Sequence, residues 1–163
     1  MAVGILPPLD GGGPTLEWRD FDGFAAAELY DLLRFRQAIF VVEQSSPYPD
    51  LDGSDRRAHH LLLSVDGVLA GYARVIPHPA EGRVAIGRVA VAEGWRRRGF
   101  ARRIMQEALA RCRRDYPGLP IALSAQTYLA PFYRSLGFRA VSGPSLDHGI
   151  EHIEMELHLT GEV

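Results

Sequence analysis

Apolar residues recur along this chain with two periods, and the changes from one period to the other outline the elements. Leu16 to Arg19 reads as an edge strand. From Phe24 to Phe40, Leu29, Leu32, Leu33 and the run Arg36 to Phe40 fall at helical spacing, with alanines in the first turns, which predicts a helix. Glu43 to Arg57 contains Ser45-Ser46-Pro47-Tyr48-Pro49-Asp50, which blocks regular structure and predicts a loop long enough to carry function. His60 to Val65 and Val68 to Val75 flank Asp66-Gly67, the signature of a β-hairpin. Pro77 to Gly82 makes the next turn, and Arg83 to Val91 reads as an apolar-rich strand buried on both faces.

The helical period returns with Ala101, Ile104, Met105, Ala108, Leu109 and Cys112, while arginines, Gln106 and Glu107 cover the other side. Pro117 and Gly118 stop that helix. Ile121 to Ala125 follows as a short buried strand, then Leu129 to Leu136 as a short helix closed by Gly137. Phe138 to Val141 and Ile153 to Leu159 are the last strands; Ile153, Met155, Leu157 and Leu159 point inward, with Glu154, Glu156 and His158 outward. This order predicts a mixed sheet with helices packed on it, an α/β or α+β layered domain. Met1 to Thr15 holds Pro7-Pro8 and Gly11-Gly12-Gly13-Pro14 and reads as a flexible tail, leaving 16–163 as the domain.

Composition adds bounds. A chain of 163 residues fits one domain, and a net charge of −2 argues against a nucleic-acid partner. No apolar run reaches membrane-spanning length, so no membrane partner is expected. One cysteine, Cys112, rules out an internal disulfide framework and predicts a reducing, cytoplasmic setting. All 18 lysine-or-arginine positions are arginine, which excludes a lysine Schiff base. His59, His60, His148 and His152 lack metal-ligand spacing, so no metal is expected.

One cluster gives the chemistry a direction. Arg96-Arg97-Arg98-Gly99-Phe100-Ala101-Arg102-Arg103 crowds five arginines into the start of the second helix, where the helix dipole already places about half a positive charge. An anion completes such an arrangement. Free amides and a glycine make a phosphate site there. A merely solvated charged face is the competing reading.

The strand Arg88-Val89-Ala90-Val91, then Arg96-x-x-Gly99-x-Ala101 opening an amphipathic helix, and Phe132-Tyr133-x-x-x-Gly137-Phe138 further on resemble the GNAT (GCN5-related) N-acetyltransferases. The signature of that family is Gln/Arg-x-x-Gly-x-Gly/Ala. Phe40-Val41-Val42-Glu43-Gln44, Pro47-Tyr48-x-Asp50-x-Asp52, Ile86-Gly87-Arg88-Val89, Ala125-Gln126 and Gly149-Ile150-x-His152-Ile153 resemble its ElaA-like branch, from about Trp18 to Met155. Ser46, His148 and Glu151 depart from the branch pattern, which has cysteine, an acidic residue and proline there; the departures bear on the acceptor.

The resemblance implies a GNAT fold: a mixed, mostly antiparallel central sheet with helices on both faces, whose strand ending at Val91 splays from the strand ending at Ala125. It implies an N-acetyltransferase, acting as a monomer or homodimer, that passes an acetyl group from acetyl-CoA directly to a primary amine of a small molecule or peptide. The amides from Arg97 to Ala101, Gly99 and Phe100 included, would hold the diphosphate. Flanking arginines, Arg96 and Arg98 among them, would serve the 3′-phosphate. The backbone of Val89 and Val91 would hold the pantetheine arm, and a backbone N–H near Val89 or Ala90 would receive charge on the acyl oxygen. Gln126 would line the channel or cap the next helix. Tyr133 would give a proton to the leaving thiolate. Glu43 and His60 are the candidate bases, Glu43 fitting equally a structural carboxylate at a helix end, and Asp50 and Asp52 would orient a cationic acceptor. A non-catalytic acyl-CoA sensor and an acyl-homoserine lactone synthase are the alternatives on the same fold.

Overall fold

The computed structural model describes residues 13–158. The expected tail up to residue 12, and Leu159, lie outside the described residues. The strands are β1 (Thr15–Asp20), β2 (His59–Val65), β3 (Val68–His78), β4 (Arg83–Val91), β5 (Ile121–Gln126), β6 (Arg139–Ala140), β7 (Ser145–Asp147) and β8 (Ile150–Leu157). They form one sheet in the order β1-β2-β3-β4-β5-β8-β6, with β7 also paired to β8. Every pairing is antiparallel except β4 with β5. The helices are α1 (Ala26–Gln37), α2 (Phe100–Asp115) and α3 (Ala130–Ser135). Among the described residues, no helix is long and apolar enough to cross a membrane.

Strand alternation gives the sheet two unlike faces. On one, Leu61, Leu63, Val75, Val84 and Ile86 join Leu123, Ile153 and Met155 in a single apolar core with Ile104, Met105, Ala108 and Leu109 of α2 and Tyr133 of α3. Cys112 belongs to this core, and burial pushes its thiol up to about 12, which makes it an inert core side chain. The intervening residues His60, Tyr72 and Arg74 face the other way and are buried with Arg36 of α1. That second layer is ionic.

Gly71 sets the fit of β3 against α2. A Cβ there would stand 2.6 Å from Ile104 Cδ1 and 3.3 Å from the Ala90 carbonyl oxygen. Gly71→Val is therefore expected to cost about 1–3 kcal/mol through overpacking. A thermal melt checks it; an unchanged midpoint would show that α2 slides to make room.

The elements differ from the sequence expectation in a few places. Helix α1 begins at Ala26, and the chain continues as a π-helical turn, Ala38–Glu43, in which the Gln44 amide bonds the Ile39 carbonyl at 3.3 Å. Such turns recur at functional sites. Helix α2 begins at Phe100 after the cap Gly99, so Arg96, Arg97 and Arg98 lie in the preceding turn and only Arg102 and Arg103 in its first turn. The expected burial of β4 on both faces is incomplete. Val84 and Ile86 are buried, whereas Ala85 and Gly87 on the opposite face are half-buried and border a cleft. Strand β7 was not expected; its three residues are all exposed, so no apolar alternation marks it. His148 (φ 49°) and Gly149 (φ 78°) form the tight turn to β8, as Asp66 (φ 51°) and Gly67 (φ 79°) do between β2 and β3.

Strand β4 carries a bulge. Tyr72 pairs with Ala90 and Arg74 with Gly87, so Ala73 alone opposes both Arg88 and Val89. Arg88 takes a left-handed conformation, φ 52°. The core-facing row shifts with it: Val84 and Ile86 before the bulge, Val89 and Val91 after it. Ala90 turns to a second small cluster with Ile39 and Phe40 of the π-helical turn.

Candidate active site

Pairing between β4 and β5 stops early. Val84 faces Ile121 and Ala85 faces Ala122, and beyond these the two strands splay. The split opens a cleft of about 1090 Å³. It reaches both faces of the sheet. Trp95, Phe100, Phe132 and Tyr133 border it on the α2 and α3 side; Phe40, Tyr48, Arg74 and His152 border it on the α1 side.

Most residues singled out by the sequence meet here. Val89, Ala90, Val91, Arg96, Arg97, Phe100, Ala101 and Gln126 all border the cleft, as do Glu43 and Tyr133. Arg98 and Gly99 are not on its wall. The Arg98 guanidinium lies over the Trp95 ring at 4.9 Å. Gly99 takes φ 78° just before α2, two residues after Arg97 at φ 64°. Left-handed residues alternating with ordinary ones at a helix start turn successive amides toward one point, a concavity suited to an anion. The space beside Gly99 is open, since a Cβ there meets nothing within 4 Å. The turn therefore fits a diphosphate. Gln126 makes no side-chain cap to the next turn; its amide donates to Gln44 Oε1 at 3.2 Å across the cleft.

Arg96 is partly committed elsewhere. Its guanidinium donates to both oxygens of Glu43, at 2.5 and 2.8 Å, and its Nε to the Val91 carbonyl at 2.9 Å. The pair ties the end of the π-helical turn to the end of β4. Glu43 thus has each oxygen engaged by a permanent cation, the arrangement of a structural clamp.

His60 does not line the cleft. It is fully buried on the ionic face. Nε2 lies 2.8 Å from the Asp55 carbonyl, which can only accept, so Nε2 carries the proton and Nδ1 takes the Tyr72 hydroxyl at 2.5 Å. Burial pushes the imidazole below its usual value, against the pull of the Asp55 carbonyl and carboxylate. With both ring nitrogens engaged and no place on the cleft wall, the expectation of His60 as a base is corrected: it is a buried brace.

Asp50 and Asp52 are also reassigned. Asp50 receives Arg36 Nε at 3.0 Å and Arg88 Nε at 2.7 Å. Asp52 receives both terminal nitrogens of Arg74, at 3.0 and 2.5 Å. Asp55 receives Arg36 at 2.6 Å and Arg74 at 3.0 Å. Three arginines thus balance three aspartates. Burial would raise the Asp52 carboxyl, but Arg74 and the Ser54 amide hold it well below the usual carboxylate range. These acids are neutralised from within and are not available to orient an acceptor. The sequence reading missed the roles of Arg36, Arg74 and Arg88. A signal existed for Arg36, which stands on the apolar stripe of its helix between Leu32 and Phe40.

Tyr133 is placed otherwise. Its ring is 7% exposed, edge-on to Phe132 and Phe138, and burial pushes the phenol up to about 12. Among the described residues, nothing hydrogen-bonds its hydroxyl, which therefore remains available to a ligand in the cleft.

Comparison with known proteins agrees with this geometry. Residues 36–159 match the acetyltransferase (GNAT) domain family. A UPF0039 protein of Schizosaccharomyces pombe is 39% identical over 144 residues, 87% of this chain and 95% of that protein. Protein ElaA of Escherichia coli is 37% identical over 145 residues, covering 86% of this chain and 95% of its own, and its crystal structure superposes with a TM-score of 0.81. An acyl-CoA N-acyltransferase from Pseudomonas aeruginosa superposes with a TM-score of 0.84 at 36% identity, over 89% of this chain and 99% of that one. With the split sheet, the glycine turn before α2 and the matched sequence all in agreement, the chain belongs to the GNAT superfamily of acyltransferases, in its ElaA-like branch.

Proposed function

We propose that this protein is an acetyl-CoA-dependent N-acetyltransferase, with 16–163 as its catalytic domain, acting on a primary amine of a small molecule or peptide. One observation carries the reading: the gap between β4 and β5 leads from Arg97, Phe100 and Ala101 beside the glycine turn, past the bulge at Arg88 and Val89, to the uncommitted hydroxyl of Tyr133.

Acetyl-CoA supplies an activated thioester when bound. The amides from Arg97 to Ala101 would hold its diphosphate, with Arg97 adding charge. Past Ala85 and Ala122, the backbones of Val89 and Val91 are free of β5 and would hold the pantetheine arm as a partner strand would. The bulge takes Val89 out of the regular ladder, which frees an N–H there to receive charge developing on the acyl oxygen. Tyr133 would give its proton to the departing sulfur. Burial weakens the phenol as an acid, yet the same apolar surroundings make a thiolate more basic, so the two shifts offset.

Thiol release from acetyl-CoA against a panel of primary amines tests the activity, with release for at least one amine as the expected result. Absence of heat when coenzyme A is titrated into folded protein would overturn the reading. Gly99→Asp is a sharper check on the anion turn. Aspartate enters the left-handed region more readily than most side chains, at a cost of about 1 kcal/mol, and its Cβ meets nothing, so the fold should persist. Its charge would face the diphosphate, and acetyl-CoA affinity is expected to fall at least about tenfold, or ~1.4 kcal/mol. An unchanged Kd by calorimetry would remove that turn from the site.

A further inference from the structure

We infer that His152 is the base that deprotonates the acceptor, and that the acceptor is a cationic amine entering from the α1 face of the sheet; this rests on the N-acetyltransferase reading above. His152 lies on β8, half-buried, paired in register with Gln126 at the end of β5 and bordering the cleft. Its Nδ1 is 2.7 Å from the Ile150 carbonyl. A carbonyl oxygen only accepts, so Nδ1 carries the hydrogen and the neutral ring holds its lone pair on Nε2. Among the described residues, nothing hydrogen-bonds that Nε2.

The other cleft-lining groups that could take a proton are committed or less suited. Glu43 is held by Arg96, and Asp52 by Arg74. His148 is stacked on Tyr48 at 4.6 Å, with Nε2 3.5 Å from Asp147, and sits at an exposed turn. The free carboxylate is Glu154, two residues along β8 on the same face as His152, with no side-chain partner among the described residues. It is exposed, so it attracts a cation better than it removes a proton. The titratable and charged groups that border the cleft with His152 are Glu154 on its own strand, Asp147 and His148 at the β7 turn, Tyr48, Asp52, Arg74 and Arg88 on the α1 side, the Glu43–Arg96 pair, and Tyr133 on the opposite face; the α1-side arginines are paired to aspartates, which leaves Glu154 as an unpaired carboxylate on the acceptor side. Residues 153, 155 and 157 face the α2 core, so His152 and Glu154 face the other way, toward α1. Tyr133 belongs to the α2 and α3 side. The two proton-handling groups therefore flank the gap from opposite faces of the sheet.

The balance is complete. One proton leaves the ammonium for Nε2 of His152 and passes to solvent. The amine nitrogen bonds the acyl carbon as the carbon–sulfur bond breaks, and Tyr133 protonates the sulfur. The second proton from nitrogen restores Tyr133. The net products are the amide, the free thiol and one proton.

The test compares wild type, His152→Asn and His152→Gln by initial-rate thiol release across pH, with spermidine, glucosamine and an unprotected lysine peptide as probe amines. Calorimetry with acetyl-CoA reports that the folded site persists. Asparagine places its amide nitrogen where Nδ1 stood and can still donate to Ile150, so a merely bracing role would survive in it. The expected result is a loss of about 10²-fold near pH 7 in both variants, with acetyl-CoA affinity kept. The deficit should narrow as pH rises toward the amine's own value of about 10, where neutral amine forms without a base. Wild-type rates in His152→Asn, or a loss equal at every pH, would overturn the role of His152 and leave the N-acetyltransferase reading standing. No thiol release by wild type with any of the three amines would overturn both.

Discussion

Tyr133→Phe is expected to lower turnover about 10²–10⁴-fold while leaving acetyl-CoA affinity nearly intact. The substitution removes one oxygen and keeps the ring that packs against Phe132 and Phe138. That oxygen makes no hydrogen bond to the described residues, so its loss leaves no buried group unpaired and stability should hold. The effect then falls on kcat, where the proton to sulfur is needed, and not on the binding of the nucleotide, which the proposed site assigns to the turn before α2. Because burial keeps the phenol protonated up to about 12, Tyr133 itself contributes no loss of activity as pH rises from 7 to about 10. Steady-state turnover and a calorimetric Kd for the same preparation check both halves. Turnover within a few-fold of wild type would show that sulfur leaves as the free thiolate or takes its proton from water.

Arg36→Leu is expected to be the most destabilising single change on the ionic face, costing about 3–5 kcal/mol. Arg36 is fully buried and serves Asp50 and Asp55 at once. Leucine fills much of the volume but strands two buried carboxylates, each keeping one arginine, Arg88 and Arg74. A melt should show a midpoint lower by about 6–20 °C. The same layer gives wild type an acid sensitivity. Burial would raise the Asp55 carboxyl, but Arg36 and Arg74 hold it below its unfolded value, and Asp52 is depressed likewise. A depressed carboxyl contributes stability above its unfolded pKa of about 3.9 and loses it as pH falls through the folded value. Wild type should therefore weaken progressively below about pH 5, and Arg36→Leu less steeply. Parallel acid titrations of the two would show that the pairs carry no net stability.

The elements that were legible in the sequence are those whose contacts repeat at short range. Helix α2 announced itself through Ile104, Met105, Ala108, Leu109 and Cys112, all buried as expected. The β2–β3 hairpin followed from Asp66-Gly67, which takes the two left-handed conformations such a turn requires. The glycine turn and Tyr133 came from motifs and both lie at or beside the cleft. What stayed hidden depends on partners distant in sequence. Arg36 meets Asp50 14 residues away and Arg88 meets Asp50 38 residues away, so no periodicity marks the layer that neutralises the loop acids. His60 at a strand start reads as a half-exposed residue, and only the register with Tyr72 and the fold of Asp55 over it reveal its burial. His152 was visible as part of a motif, yet the free lone pair depends on where the Ile150 carbonyl points.

The extra residue in β4 also explains how one strand can serve two unlike layers. Had the same residues run straight on in register, Arg88 would follow Val84 and Ile86 into the hydrocarbon beneath α2, and Val89 and Val91 would be turned out among the ion pairs. A guanidinium sunk in oil costs far more than one left-handed residue. A half-step in the pleat thus sorts a mixed sequence onto its proper sides, and the seam between oil and salt falls at the mouth of the gap.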